Sequence, residues 1–218
     1  MDLGTLGACA SAVAAFVALG ISCYQIRLSN KQSLFSRRLK LWLIVGRLME
    51  VYRGSAGCLK QDDEPQFDIG ACFVWLTNDG FLQEITSCIN HRLENDYQLK
   101  LHLKLEEMAS LATEASFVFR GKTGMAISSF LNAYKELLLE VYRYQILLSH
   151  MQDCSKQSHL DLEKAANAVN EKGYRIGLYA AEDALQSAYE ILSGDKMLHE
   201  IEGQISLVCI WPRRACKR

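Results

Sequence analysis

The sequence predicts an all-α protein, with one N-terminal transmembrane helix followed by a cytoplasmic antiparallel helical bundle. Three observations carry that expectation. No Asp, Glu, Lys, Arg or His occurs from Leu3 to Ile26, only Pro65 and Pro212 interrupt the 218 residues, and apolar residues recur at three- and four-residue intervals through most of the chain beyond the uncharged run.

At about 1.5 Å per residue, the uncharged run is long enough to cross a hydrocarbon layer of roughly 30 Å. A cleaved signal peptide would carry a basic leading region and a shorter apolar core, whereas only Met1 and Asp2 precede this run. Two lipoprotein-like tetrapeptides do not fit that processing. The "LGAC" ending at Cys9 comes before most of the apolar stretch, and the "GISC" ending at Cys23 lacks a large aliphatic first residue. The competing reading is a buried Ala-rich helix of a soluble core, but such helices seldom remain uncharged for so long. The expected organisation is an anchor over 1–27, a basic juxtamembrane helix and linker over 28–60, a bundle domain over 61–212 and a basic C-terminal tail over 213–218.

Charge orients the span. From Arg27 to Lys60 there are eight Lys and Arg against the single acid Glu50, and the positive-inside rule places that flank in the cytoplasm with the N-terminus outside. The expected location is therefore the cell inner membrane. Arg27, Lys31, Arg37, Arg38 and Lys40 are the candidates for contact with anionic headgroups, each contributing about 1 kcal/mol near the surface. From residue 61 onward acids outnumber bases, so the near-neutral total conceals a basic neck and an acidic body. No nucleic-acid recognition signature accompanies the basic residues, and nucleic acid is not an expected partner.

Phe35, Leu39, Trp42, Val45, Met49 and Tyr52 form a stripe expected on a helix that continues or closely follows the span, and Lys40 and Arg47 argue against a second crossing. "RGSAGCLKQDDEP" is the expected linker. In "FDIGACFVWLTNDGFLQEITSCI" a break is expected at Asn78, Asp79 and Gly80. "YQLKLHLKLEEM" alternates locally as a strand would, but Leu101, Leu105, Met108, Ala112, Ala115 and Phe119 make a longer helical stripe. After "RGKTG", with Thr123 as a potential cap, Ile127, Leu131, Tyr134, Leu138, Val141 and Leu148 define another face, ending near Asp153. A helix from about Ser158, weakened at Lys172 and Gly173, continues into the row Leu178, Ala181, Leu185, Ala188 and Leu192. A last helix, with Gly194 as stop and Asp195 as cap, would place Met197, Ile201, Ile205 and Val208 in the core. No internal repeat of solenoid length is present, so a single bundle is the simpler architecture.

"NKQSLFSRRLKLW" after an amino-terminal span, with "WLTNDGFLQEI", "KLEEMASLA", "YRYQILLSHM" and "LHEIEGQISL", resembles a loose group of bacterial single-span membrane proteins. The resemblance implies an inner-membrane protein with a cytoplasmic helical domain. It brings no activity and no catalytic residues.

No chemical motif is complete. "RGKTG" ends like a phosphate-binding loop, but Ser116 occupies the earlier glycine position and a predicted helix precedes it. The same "KTG" lacks the Ser-x-x-Lys of a β-lactamase. Eight dispersed cysteines in a reducing compartment are expected to be mostly free thiols, with Cys72 and Cys88 as small buried hydrophobes. Cys88 with His91, and His150 with Cys154 near His159, have spacings that permit metal ligation but no C-x-x-C unit, and no metal is expected. Glu106 with Glu107, and Asp62 with Asp63, read as solvated charge. No catalytic residue and no cofactor is expected.

Gly7, Ser11, Ala15, Ala18 and Ser22 line one face of the span and allow close approach of a second transmembrane helix, giving a homo-oligomer, while the plainer reading is an Ala-rich anchor. Leu43, Ile44 and Leu48 would extend that pairing or join the core. The expected function is a membrane-tethered interaction or sensory and regulatory module with a protein partner that the sequence does not name. One alternative is a bacterial, antiphage defence effector that disrupts the membrane on oligomerisation, and a second is an enzyme of unidentified class.

Overall fold

A computed structural model describes residues 3–55, 69–158 and 162–206, and the side chains of these from Ala15 onward, with those of residues 154, 156–158 and 162 excepted. Seven α-helices and one 3₁₀ segment make up the described chain: α1 (Leu3–Ser55), α2 (Ile69–Leu76), the 3₁₀ segment Gln83–Ile89, α3 (Asn95–Val118), α4 (Lys122–Ser158), α5 (Leu162–Ala168), α6 (Glu171–Ser193) and α7 (Asp195–Ile205). The described residues are all-α, as expected. The domain boundaries at residues 60 and 61 lie outside them, as does the tail over 213–218.

Helix α1 runs unbroken for 53 residues. The first proline is Pro65, and Gly20, Gly46 and Gly54 keep negative φ, so the helix runs through them. Its carboxyl half buries Leu41, Val45, Leu48 and Tyr52, with Trp42, Ile44 and Met49 packed partly against the core. The buried row is thus rotated from the expected stripe. Val45 and Tyr52 hold their places, Leu48 is core, and Leu43 faces outward.

At its amino-terminal end the structure departs from the expected transmembrane helix. Among the described residues no helix is long and apolar enough to cross a membrane. Described side chains begin at Ala15, and the roughly 12 residues from there to Ile26 rise only about 18 Å before Arg27. Gly7 and Ser11 lie in the part of α1 before Ala15, where the backbone alone is described.

Helix α4 is the centre of the bundle, in contact with α2, α3, α5, α6 and α7. Its predicted face is fully interior, with Ile127, Leu131, Tyr134, Leu138, Val141 and Leu148 all buried. The α3 stripe Leu101, Leu105, Met108, Ala112, Ala115 and Phe119 is likewise buried. Length and the three-and-four spacing therefore prevail over the short local alternation, because a lone strand here would have no ladder partner. Tyrosine hydroxyls tie elements together: Tyr134 donates to the Leu76 carbonyl at 2.6 Å, Tyr142 to the Arg92 carbonyl at 2.7 Å, and Tyr52 to Gln186 Oε1 at 2.8 Å. Each buries a ring while giving its polar tip an acceptor.

The breaks have local causes. After α2 the chain turns through Asn78, Asp79 and Gly80, where Asp79 Oδ1 accepts from the Phe81 amide at 2.7 Å. Between α3 and α4, Gly121 takes φ +60°, in the left-handed region that glycine enters without steric cost. Thr123 lies inside the first turn of α4, not at its cap, and is buried there. Helix α4 continues past Asp153 to Ser158. The weak point expected at Lys172 and Gly173 falls at Asn170, which adopts φ 55°, as asparagine tolerates. Gly194 is the cap residue of α7 and Asp195 its first helical residue, with no side-chain capping bond. Of the four residues expected to close the core there, Ile201 is buried, Met197 and Ile205 are partly buried, and Val208 lies outside the described residues.

Close approach at the α3–α4 turn depends on Gly124, where a Cβ would meet the Phe119 carbonyl oxygen at 2.8 Å and the Ala115 carbonyl oxygen at 2.9 Å. Both are backbone atoms and cannot swing aside. Gly124→Ala is expected to destabilise the bundle by about 1–3 kcal/mol through forced separation of the two helices. A urea titration reading the midpoint checks it, and an unchanged midpoint would show that the turn yields freely.

Candidate functional site

The described part of the apolar arm, Ala15 to Ile26, is exposed on every side. Phe16 is 77% and Leu19 64% exposed, and Val17, Ile21, Tyr24 and Ile26 are likewise uncovered. Ala15, Ala18 and Ser22 are exposed within this arm, and the Ser22 hydroxyl donates to the Ala18 carbonyl at 2.9 Å. A contiguous uncovered apolar surface of this kind marks a site of contact with another surface or with lipid.

Beyond the arm, Arg27, Lys31, Arg37 and Lys40 are exposed. At about 100° per residue they fall on more than one side of the helix. Arg38 does not join them. It is 9% exposed, with Nε donating to the Val118 carbonyl at 2.7 Å and Nη1 to the Gln204 carbonyl at 2.8 Å, and its guanidinium lies 5.8 Å from the Phe119 ring centroid. The guanidinium thus binds the carboxyl ends of α3 and α7 at once, where unpaired carbonyls and the negative ends of the helix dipoles favour a cation. Burial, then the nearby Arg120 charge, pushes its pKa down from the ordinary arginine value. The expectation that Arg38 meets headgroups is corrected accordingly, since its donors are taken up inside the fold. The junction is completed by Gln204, whose Oε1 accepts from the Arg120 amide at 2.8 Å and whose Nε2 donates to Thr123 Oγ1 at 3.2 Å.

Two clefts flank the carboxyl half of α4. One, of about 540 Å³, is lined by Ile146, Leu147 and Val169, with Glu140, Arg143, His150 and Tyr174 around them. The other, of about 370 Å³, brings His91 and Glu94 to the same wall as His150 and Asp153. Two histidine-containing segments singled out in the sequence therefore converge. Among the described residues, however, no three His, Cys, Asp or Glu side chains form a group that could hold a metal ion. His91 Nδ1 is bound to Glu94 Oε1 at 2.7 Å and its ring stacks on Tyr97. The Cys88 thiol is buried and donates to the Tyr97 carbonyl at 3.3 Å, and burial is the leading cause that raises its pKa, so it is not a poised thiolate. The side chain of Cys154 and all of His159 lie outside the described residues. Ser149, in the second cleft, donates to the Gln145 carbonyl and accepts from Arg92, an arrangement that engages neither histidine as a base.

Two further polar clusters join elements of the fold. Lys104 pairs with Glu107 and Glu84 and lies over the Phe81 ring, so Glu107 is a partner in a local network more than a solvated charge. Inside the α4–α6 interface the Tyr144 hydroxyl donates to Glu171 Oε1, which Arg175 approaches at 3.3 Å. Burial first, and then this bond, raise the Tyr144 pKa well above the ordinary tyrosine value. Glu182 is buried on the same helix. Sequence reasoning missed these residues because two of the carboxylates sit on the core face of α6, where an apolar pattern gives no sign of them. Asp62 and Asp63 lie outside the described residues.

No protein-family model matches the chain, no curated protein matches it, and no solved structure matches it. The geometry of the chain itself is therefore the ground for a functional reading.

Proposed function

We propose that the protein is a membrane-tethered helical interaction or relay module, held at the cytoplasmic face of the inner membrane by the amino-terminal part of α1. The observation that carries this reading is the bare apolar arm on a helix that is continuous with the frame of the bundle. A helix of 53 residues is about 80 Å long, and the bundle covers little more than the stretch from Leu34 to Ser55, about 33 Å. The uncharged run back to Leu3 completes a length of roughly 36 Å, sufficient for the hydrocarbon layer. A helix lying flat on a membrane would carry a charged face along this stretch, and none is present.

Arg27 and Lys31 follow Ile26 within about 8 Å, inside the headgroup layer, while Arg37 and Lys40 lie farther out. Because α1 is unbroken through Ser55, a change in the tilt or pairing of the arm is transmitted to the core residues Leu41, Val45, Leu48 and Tyr52 without an intervening hinge. The clefts beside α4 offer surfaces for a partner. An alkaline phosphatase fused to the carboxyl terminus tests the orientation. It should stay inactive because the fusion remains in the cytoplasm, and strong periplasmic activity would overturn the reading.

A further inference from the structure

We propose that the α3–α4 turn is a second membrane contact, docking on the anionic leaflet beside the span through Arg120 and Lys122, with Phe117 and Met125 seated among the headgroups. This rests on the membrane-anchored reading above, and it assigns to the turn a role separate from the span.

Phe117 is 83% exposed and Met125 68%, and they bracket the two exposed bases Arg120 and Lys122. Large apolar side chains flanking basic ones at the tip of a helical hairpin match a surface that is greasy beneath and negatively charged above. No acid occurs between Glu114 and Glu136, and the acids nearest in the adjoining α7 are Glu200 and Glu202. A protein partner would have to supply this combination in one place, whereas an anionic bilayer supplies it everywhere. The turn is also held at the correct end of the molecule. Arg38 clamps Val118, the last residue of α3, to α1, and the Gln204 carbonyl of α7 shares the clamp.

Arg38 lies about 18 Å beyond Ile26 along the axis. Long side chains on a helix lean toward its amino terminus, so the clamped carbonyls sit closer to the membrane than the Arg38 backbone does. Transmembrane helices tilt by about 20° on average. A tilt of α1 toward this flank lowers the turn toward the headgroup layer, the long side chains of Arg120 and Lys122 reach across the remaining distance, and the docked turn would in turn hold that tilt. Opening or closing the dock would thus change the angle at which the bundle is presented.

The test is hydrogen exchange at residues 121–124 of the full-length protein in phosphatidylcholine vesicles with and without a quarter phosphatidylglycerol. The first amides of α4 have no intrahelical acceptor, so their exchange reports on covering. Docking predicts exchange about fivefold slower with the anionic lipid, returning to the neutral-lipid rate in Arg120→Glu/Lys122→Glu and in Phe117→Ser. Equal rates in both lipids, in protein that floats with the vesicles, would overturn the dock and leave the span intact. Equal slowing in lipid-free detergent would also overturn it, by placing the cover within the chain. Protein that fails to float at all would overturn both readings.

Discussion

Replacing Tyr134 by Ala is expected to lower the stability of the bundle by about 3–5 kcal/mol. Tyr134 is fully buried on the central helix, its ring meets Phe130 edge-on at 5.9 Å between centroids, and its hydroxyl donates to the last residue of α2 at 2.6 Å. Removing the ring opens a cavity where α4 meets its neighbours, and it leaves the Leu76 carbonyl without this donor. Domains are stable by only about 5–15 kcal/mol, so this one change takes a large share of the total. Tyr134→Phe separates the two contributions, because it keeps the ring and removes the hydroxyl, and it is expected to lose about 1 kcal/mol. Urea unfolding of the detergent-solubilised protein reads both. Equal losses for the two variants would show that the ring is not part of the core.

Arg38→Ala is the second large effect, expected at about 2–4 kcal/mol. It unpairs the carbonyls of Val118 and Gln204 and removes the cation over Phe119. The lower figure allows for the Gln204 bond, which is partly exposed. Lysine is not expected to restore the loss, because a single ammonium lacks the planar fork that reaches two carbonyls at once. The effect should concentrate on α7, an 11-residue helix with Ile201 as its one buried side chain, which would show faster amide exchange than α3 or α4. Uniform weakening across the bundle, or full rescue by Arg38→Lys, would contradict the clamp.

These two residues also mark the limit of what was legible in the sequence. Tyr134 sits at its expected place because α3 and α4 are long, regularly spaced and free of proline, so their helical period is unambiguous. The faces of α1 and α6 were harder to read. Arg38 stands one turn before Leu41 in the buried row Leu41, Val45, Leu48 and Tyr52, and that register was the available signal for its burial. A cluster of bases beside an apolar run points to solvent or headgroups, however, and only the folded chain shows that two helix ends lie within reach of one of them. Glu171 is similar. Its partners Tyr144 and Arg175 come together only when α6 packs on α4. The convergence of His91 with His150 was beyond reach for the same reason, since spacing along a chain does not report distance between helices. Breaks were legible to within a few residues where Gly or Asn marked them, and the exact capping positions were not, because propensity alone does not choose between adjacent residues.

The arm gives the molecule its proposed role, and alkaline carbonate washing of membranes from cells making the full-length chain examines it most directly. Anchoring through α1 predicts that intact, unprocessed protein stays with the membrane pellet and rises with it on flotation. Release of the intact chain into the supernatant would contradict membrane anchoring.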